Sequence, residues 1–98
     1  MRAFGKSNTG QRSVPRAEVY RTASLATRDE VYSLGLVDLS RTGARLSGAE
    51  RPEPGQDVVF QSHDVKAFGQ VVWLDGDFCA IEFETPIAPA EVRRLNRA

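Results

Sequence analysis

Two short clusters in the sequence carry residue types suited to binding chemistry. The first is Arg12-Ser13-Val14-Pro15-Arg16, two arginines four positions apart around a proline. On a helix this spacing would stack both arginines on one face. Pro15 disfavours helix, so the segment reads as extended or turning. The two guanidiniums are planar, permanently charged forks that match phosphate oxygens and the O6/N7 edge of guanine. They can also stack on a purine face. The competing reading of this pair alone is a solvated basic tail with no specific ligand.

The second cluster is Asp38-Leu39-Ser40-Arg41-Thr42-Gly43. A carboxylate such as Asp38 can accept two hydrogen bonds from an N1–H/N2–H₂ edge, which among the bases belongs to guanine. Ser40 offers a hydroxyl to a phosphate oxygen. Gly43 permits either a positive φ or the close approach of a ligand. The competing reading is a plain turn, with Asp and Ser bonding nearby backbone and Gly supplying the bend.

These clusters need a scaffold, and the composition bounds it. The chain has 98 residues, 13 basic and 13 acidic side chains, one His and one Cys. That fits a single domain with a thin core. One cysteine, Cys79, excludes an internal disulfide framework, and one histidine, His63, leaves no room for a His-rich metal site. So short an inventory argues against most hydrolytic and redox chemistry; no catalytic residue, metal or cofactor is expected. No apolar stretch approaches the roughly 18 residues of a membrane span. The first residues lack the apolar run of a secretory signal, so the expected location is cytoplasmic, without membrane insertion. The zero net charge hides an asymmetry. Residues 1–21 hold five basic groups against one acid, net +4, and residues 22–98 hold eight against twelve, net −4.

The pattern along the chain is extended. Residues 1–16 are expected to form a flexible basic arm carrying the arginine pair. Residues 17–98 are expected to form an all-β domain: a small six-stranded antiparallel barrel with a short C-terminal helix. The first strand is expected from Ala17, where Val19, Arg21 and Ala23 alternate with Glu18, Tyr20 and Thr22, with Arg28-Asp29-Glu30 as the turn after it. Val31 to Leu39 is the second, with Gly35 marking a bulge or close backbone approach. Ala44 to Leu46, Asp57 to Gln61, Val65 to Leu74 and Phe78 to Glu84 are the others. Gly69 is expected to mark a bend, and Asp75-Gly76-Asp77 is a tight hairpin. Ala90 to Arg97 reads as the helix, with Pro89 suited to its first turn and Glu91 and Arg93, Arg94, Arg97 of favourable sign for its ends.

The arginine pair, a strand, a D-x-S-x-x-G turn and then a small barrel together resemble the PilZ domain family. Its hallmarks are an RxxxR motif and a downstream (D/N)xSxxG motif. Arg12 and Arg16 match the first; Asp38, Ser40 and Gly43 match the second without substitution. The resemblance runs from about Arg12 to the end. It includes Gly-Ala-Arg-Leu after the turn, Gly-Gln-Val-Val-Trp at 69–73 and Ala-Ile-Glu-Phe at 80–83. It implies binding of cyclic di-GMP, in family members often as an intercalated dimer over which the arm orders, and signalling through a protein effector that the sequence does not name. By this resemblance Arg12 and Arg16 would grip phosphate and the guanine Hoogsteen edge, Asp38 would read guanine, and Ser40 would contact phosphate or base. Gly43 would permit the close turn. Thr42 lies in the same motif. Arg41 and Arg45 are candidate accessory contacts, with a plain surface role the alternative.

Other residues read as structural. Trp73 is expected in the core or at the barrel rim rather than as a stacking platform. Cys79 alternates with Ile81 and Phe83 and is expected buried. His63 is expected in a solvated turn. Two other functions remain open: a protein-interaction adaptor of the same fold that binds no nucleotide, and a small barrel binding RNA or single-stranded DNA. The acidic body weighs against nucleic acid, as does the placing of Phe60, Phe68, Trp73, Phe78 and Phe83 in strand patterns consistent with a core.

Overall fold

Successive side chains of a strand point to opposite faces, and this alternation sets what the molecule buries. The computed structural model describes residues 21–97. They form β1 (Thr22–Ala26), β2 (Val31–Leu39), β3 (Gly43–Ser47), β4 (Asp57–Ser62), β5 (Val65–Asp75), β6 (Phe78–Phe83) and α1 (Pro89–Arg97). Neighbouring strands pair antiparallel and close into a barrel in the order β1-β2-β3-β6-β5-β4. Closure leaves no sheet edge open to pairing with another chain among the described strands. The expected six-stranded antiparallel barrel with one closing helix is the fold observed.

Inward positions supply the core. Leu25, Leu46, Phe60 and Cys79 are fully enclosed. The ring of Phe60 lies 5.4 Å from that of Phe83, tilted by 52°, one of the favourable offset arrangements for an aromatic pair. Cys79, Ile81 and Phe83 share the inner face of β6 as expected, with Glu82 outside.

Two glycines let β6 pack between its neighbours. A Cβ on Gly43 of β3 would stand 2.3 Å from the carbonyl oxygen of Ile81, and one on Gly69 of β5 would stand 2.5 Å from that of Glu82. Neither contact is tolerable, so β6 is approached from both sides by backbone without side chains. Gly69 therefore marks a close approach.

The hairpins follow from local chemistry. Gly76 takes φ 60° in the β5–β6 loop, and His63 takes φ 56° in the β4–β5 loop. Histidine enters this region more readily than most residues with a side chain, and His63 is an exposed turn residue as expected.

Two expectations are corrected and a third is sharpened. The first strand spans Thr22–Ala26, with Ala23 and Leu25 facing inward, and does not take in Arg21, which the alternation included. Arg21 precedes it, and residues 17–20 lie outside the described residues. Of the two roles expected for Gly35, a bulge or a close backbone approach, the second is the one observed; the β2–β3 bulge falls at Val37, where the register shifts between Leu36 and Asp38. Gly35 itself is a close approach, its would-be Cβ 2.9 Å from Ser47 Oγ. Of the five aromatic residues expected inside, only Phe60 and Phe83 are buried; Phe68, Trp73 and Phe78 are exposed. Phe68 follows the outward phase of β5, shared with Lys66 and Gln70. Trp73 is turned outward by a second bulge, where the β5–β6 register shifts between Val71 and Trp73.

Helix α1 is amphipathic, with Glu91 in its first turn and Arg94 and Arg97 in its last. Leu95 enters the core with Val92 packed against it. Arg94 Nη1 donates to Asp64 Oδ1 at 2.6 Å, linking the helix to the β4–β5 turn. That hydrogen bond holds the Asp64 carboxyl below its ordinary value of 3.8. Because the folded value is lowered, the contribution of the pair is complete above pH 3.8 and is lost as pH falls through the folded value. Both groups are exposed, so the effect on stability is small. NMR titration should place the Asp64 pKa below 3.8 in the native chain and return it towards 3.8 in Arg94→Gln.

Candidate functional site

The second sequence cluster sits where β2 ends and turns into β3. Leu34 and Leu36 face inward, so strict alternation would also send Asp38 inward. The extra residue at Val37 reverses the phase: Asp38 is exposed and Leu39 buried. The same event occurs in β5. Val65, Ala67 and Val71 face inward and predict Trp73 inside, but the bulge at Val72 puts Trp73 outside and turns Leu74 toward the core. A one-residue shift exchanges the two faces of a strand.

The two reversals meet in one row. Asp38 pairs with Arg45, Arg45 with Ala80, and Ala80 with Trp73, across β2, β3, β6 and β5. All four positions are outward. The methyl of Ala80 leaves the middle of the row low between Arg45 and Trp73. Asp38, Ser40, Thr42, Gly43, Arg45 and Ala80 line an open depression of about 700 Å³, together with Val72 and Glu82. The structure thus gathers five of the sequence-selected residues around one hollow. Arg45 Nη2 donates to Asp38 Oδ2 at 2.5 Å, so a cationic donor and an anionic acceptor stand side by side at its rim.

The turn between them is tightly organised. The Ser40 amide donates to the Gly43 carbonyl at 2.9 Å. Ser40 Oγ accepts from the Thr42 amide at 3.2 Å and lies 3.3 Å from the Gly43 carbonyl oxygen, to which it can donate. Gly43 does not have a positive φ. What requires glycine there is the β6 backbone at Ile81, not a left-handed turn. Arg41 does not line the hollow. Its Nε donates to the Ile87 carbonyl at 3.1 Å, and its own carbonyl accepts from the Ile87 amide at 2.8 Å, fastening the turn to the segment before α1. Arg12 and Arg16 lie outside the described residues.

Two contributors escaped the sequence reading. Trp73 left only a weak trace, the apolar run Val71-Val72-Trp73, because its bulge is fixed by the pairing with β6. Arg21 had no such signal. Its Nη2 donates to the Val37 carbonyl at 2.8 Å and its Nη1 to Asn96 Oδ1 at 2.8 Å. The bulge residue thus has its carbonyl satisfied by a side chain, as a partly buried polar group requires. Replacing Arg21 by Ala should leave that carbonyl without its partner and loosen α1. The expected cost is roughly 1–3 kcal/mol, read by urea unfolding, with a larger loss than for Arg93→Ala on the exposed face of the helix.

A family model described as PilZ domain matches residues 10–98. The match takes in the RxxxR pair as well as Asp38, Ser40 and Gly43. No curated protein matches the chain. With the barrel, the phase-reversed Asp38 and the Ser40–Gly43 turn in place, the matched span covers nearly the whole sequence, and the chain belongs to the PilZ domain family.

Proposed function

We propose that this protein is a receptor for cyclic di-GMP that signals through a protein partner, without catalysis. The family is one of ligand-binding receptor and adaptor domains. The observation that carries the reading is the row Asp38–Arg45–Ala80–Trp73 beside the Ser40–Gly43 turn. Asp38 offers carboxylate oxygen to the N1–H/N2–H₂ edge of guanine. Arg45 offers donors to phosphate or to O6/N7. A flat purine fits over the low Ala80 with the exposed indole of Trp73 beside it.

The hollow alone is unsuited to an anion. Its charged lining is Asp38 and Glu82 against Arg45, so the positive charge facing two phosphodiesters must come from elsewhere. Arg12 and Arg16 are the source in this reading. Arg21 is bonded to the carbonyl of Val37, the residue before Asp38. Arg16 is five residues from Arg21 and Arg12 nine, so chain length gives reaches of about 17 Å and about 30 Å. Both can therefore close on the hollow, and a change in the arm on ligand binding would be the output presented to a partner. The three exposed aromatics remove one objection to RNA or single-stranded DNA, but twelve acids against nine bases over residues 21–97 still oppose a polyanion.

Isothermal titration should show cyclic di-GMP binding by the native chain. Arg12→Ala, Arg16→Ala and Asp38→Ala should each weaken it about tenfold or more with unfolding midpoints unchanged. Trp73→Ala should weaken it less. Binding unaffected by both arginine substitutions would overturn the residue assignment. A folded native chain that binds no cyclic di-GMP would overturn the nucleotide reading.

A further inference from the structure

A second row of outward side chains lies elsewhere on the barrel. Val31 pairs with Ala26, Ala26 with Val59, and Val59 with Phe68, across β2, β1, β4 and β5. All four are apolar. The two ends are among the most exposed large hydrophobic residues described, Val31 at 70% and Phe68 at 63%. Single exposed apolar residues are ordinary, but a continuous apolar row is informative.

Beside Phe68 the row opens into a concavity of about 390 Å³, with Ala26, Val59 and Gly69 in its lining and Asp57, Glu84 and Arg28 around it. Gly69 has no side chain because the Glu82 carbonyl occupies that space, so the wall next to the phenyl ring is bare backbone. The surroundings are mostly of one sign. Asp29, Glu30, Asp57 and Glu84 are all exposed. None makes an ion pair with another described residue. The nearby cations are Arg28 and Lys66. This concavity shares no lining residue with the hollow at Asp38.

We propose that this groove docks a basic amphipathic segment of a partner protein. Apolar side chains of that segment would lie on Ala26 and Val59 against the Phe68 ring. An arginine or lysine would reach between Asp57 and Glu84 with its aliphatic stem along the phenyl face. Charge selects this occupant. The acidic body of a second copy would bring carboxylates against carboxylates, and nucleic acid or an anionic lipid surface would meet the same acidic rim. The inference does not rest on nucleotide binding.

The test uses the full chain and a fluorescein-labelled synthetic peptide with leucines on one face and arginines on the other, followed by fluorescence anisotropy. Binding by the native chain is expected to weaken about tenfold in Phe68→Ser and in the double variant Asp57→Asn/Glu84→Gln. Phe78→Ser removes an exposed phenyl outside the groove and should leave binding unchanged. A peptide with glutamates in place of the arginines should not bind. Equal affinity for native chain and Phe68→Ser, equal binding of the glutamate peptide, or no binding by the native chain would overturn the proposal. So would sedimentation showing a native dimer that Phe68→Ser dissociates.

Discussion

The outward face of this barrel depends on two reversals of strand phase. A strand whose residues alternate without interruption cannot bury Leu36 and expose Asp38, or bury Val71 and expose Trp73. One additional residue in each strand, Val37 and Val72, allows both. The core keeps its apolar residues because the exchange is completed one position later, with Leu39 buried and Leu74 packed against the core. Each bulge is also held from outside the ladder. Arg21 satisfies the Val37 carbonyl, and the Gly55 amide and Gln56 carbonyl bond Val71 beside the second bulge. The row from Asp38 to Trp73 is the joint product of these local irregularities, and neither alone would align it.

Between the two bulged strands, β3 and β6 set the spacing of the row. Gly43 and Gly69 allow β6 to sit close to both neighbours, because a methyl group at either position would overlap its backbone. This gives the glycine of the D-x-S-x-x-G motif a structural duty distinct from the left-handed turn its type invites one to expect. The same turn is fixed from below by Arg41, whose hydrogen bond to Ile87 takes its side chain away from the hollow. Residues that neighbour one another in the motif thus have different tasks. Asp38 and Arg45 face the hollow, Gly43 admits β6, and Arg41 holds the chain that leads into the helix.

Much of the architecture was legible from alternation and turn chemistry. The run from Val31 to Leu39, the Asp75–Asp77 hairpin and the inner face of β6 follow from local pattern, because their partners reinforce what the side chains already favour. The Ser40–Gly43 turn was legible for the same reason. Phase reversals were not, since a bulge is fixed by the partner strand and not by the residues in it. This is why Trp73 was assigned to the core or rim, and why Gly35 announced its close approach while the bulge at Val37 left no mark of its own. The second half of the first strand carried little signal of its own because Ser24 and Thr27 dilute its apolar content, while pairing with both β2 and β4 supplies what propensity lacks. Arg21 shows the limit most plainly: its partners are 16 and 75 positions away, and no local pattern announces them.

That last contact has a topological consequence. Arg21 stands immediately before β1 and Asn96 lies in the final turn of α1, yet they are hydrogen-bonded. The polypeptide therefore comes into the barrel and departs from it at one place, beside the Val37 bulge and hence beside Asp38. A fold whose two ends are neighbours behaves as a cassette. It can be set into a loop of a host protein, or its ends can be joined and new ones cut in the distant Gly48–Gly55 loop, without rerouting any strand. In the first arrangement both junctions would flank the hollow, so the host segments on either side are held close to each other and to it; in the second, the join itself would lie there.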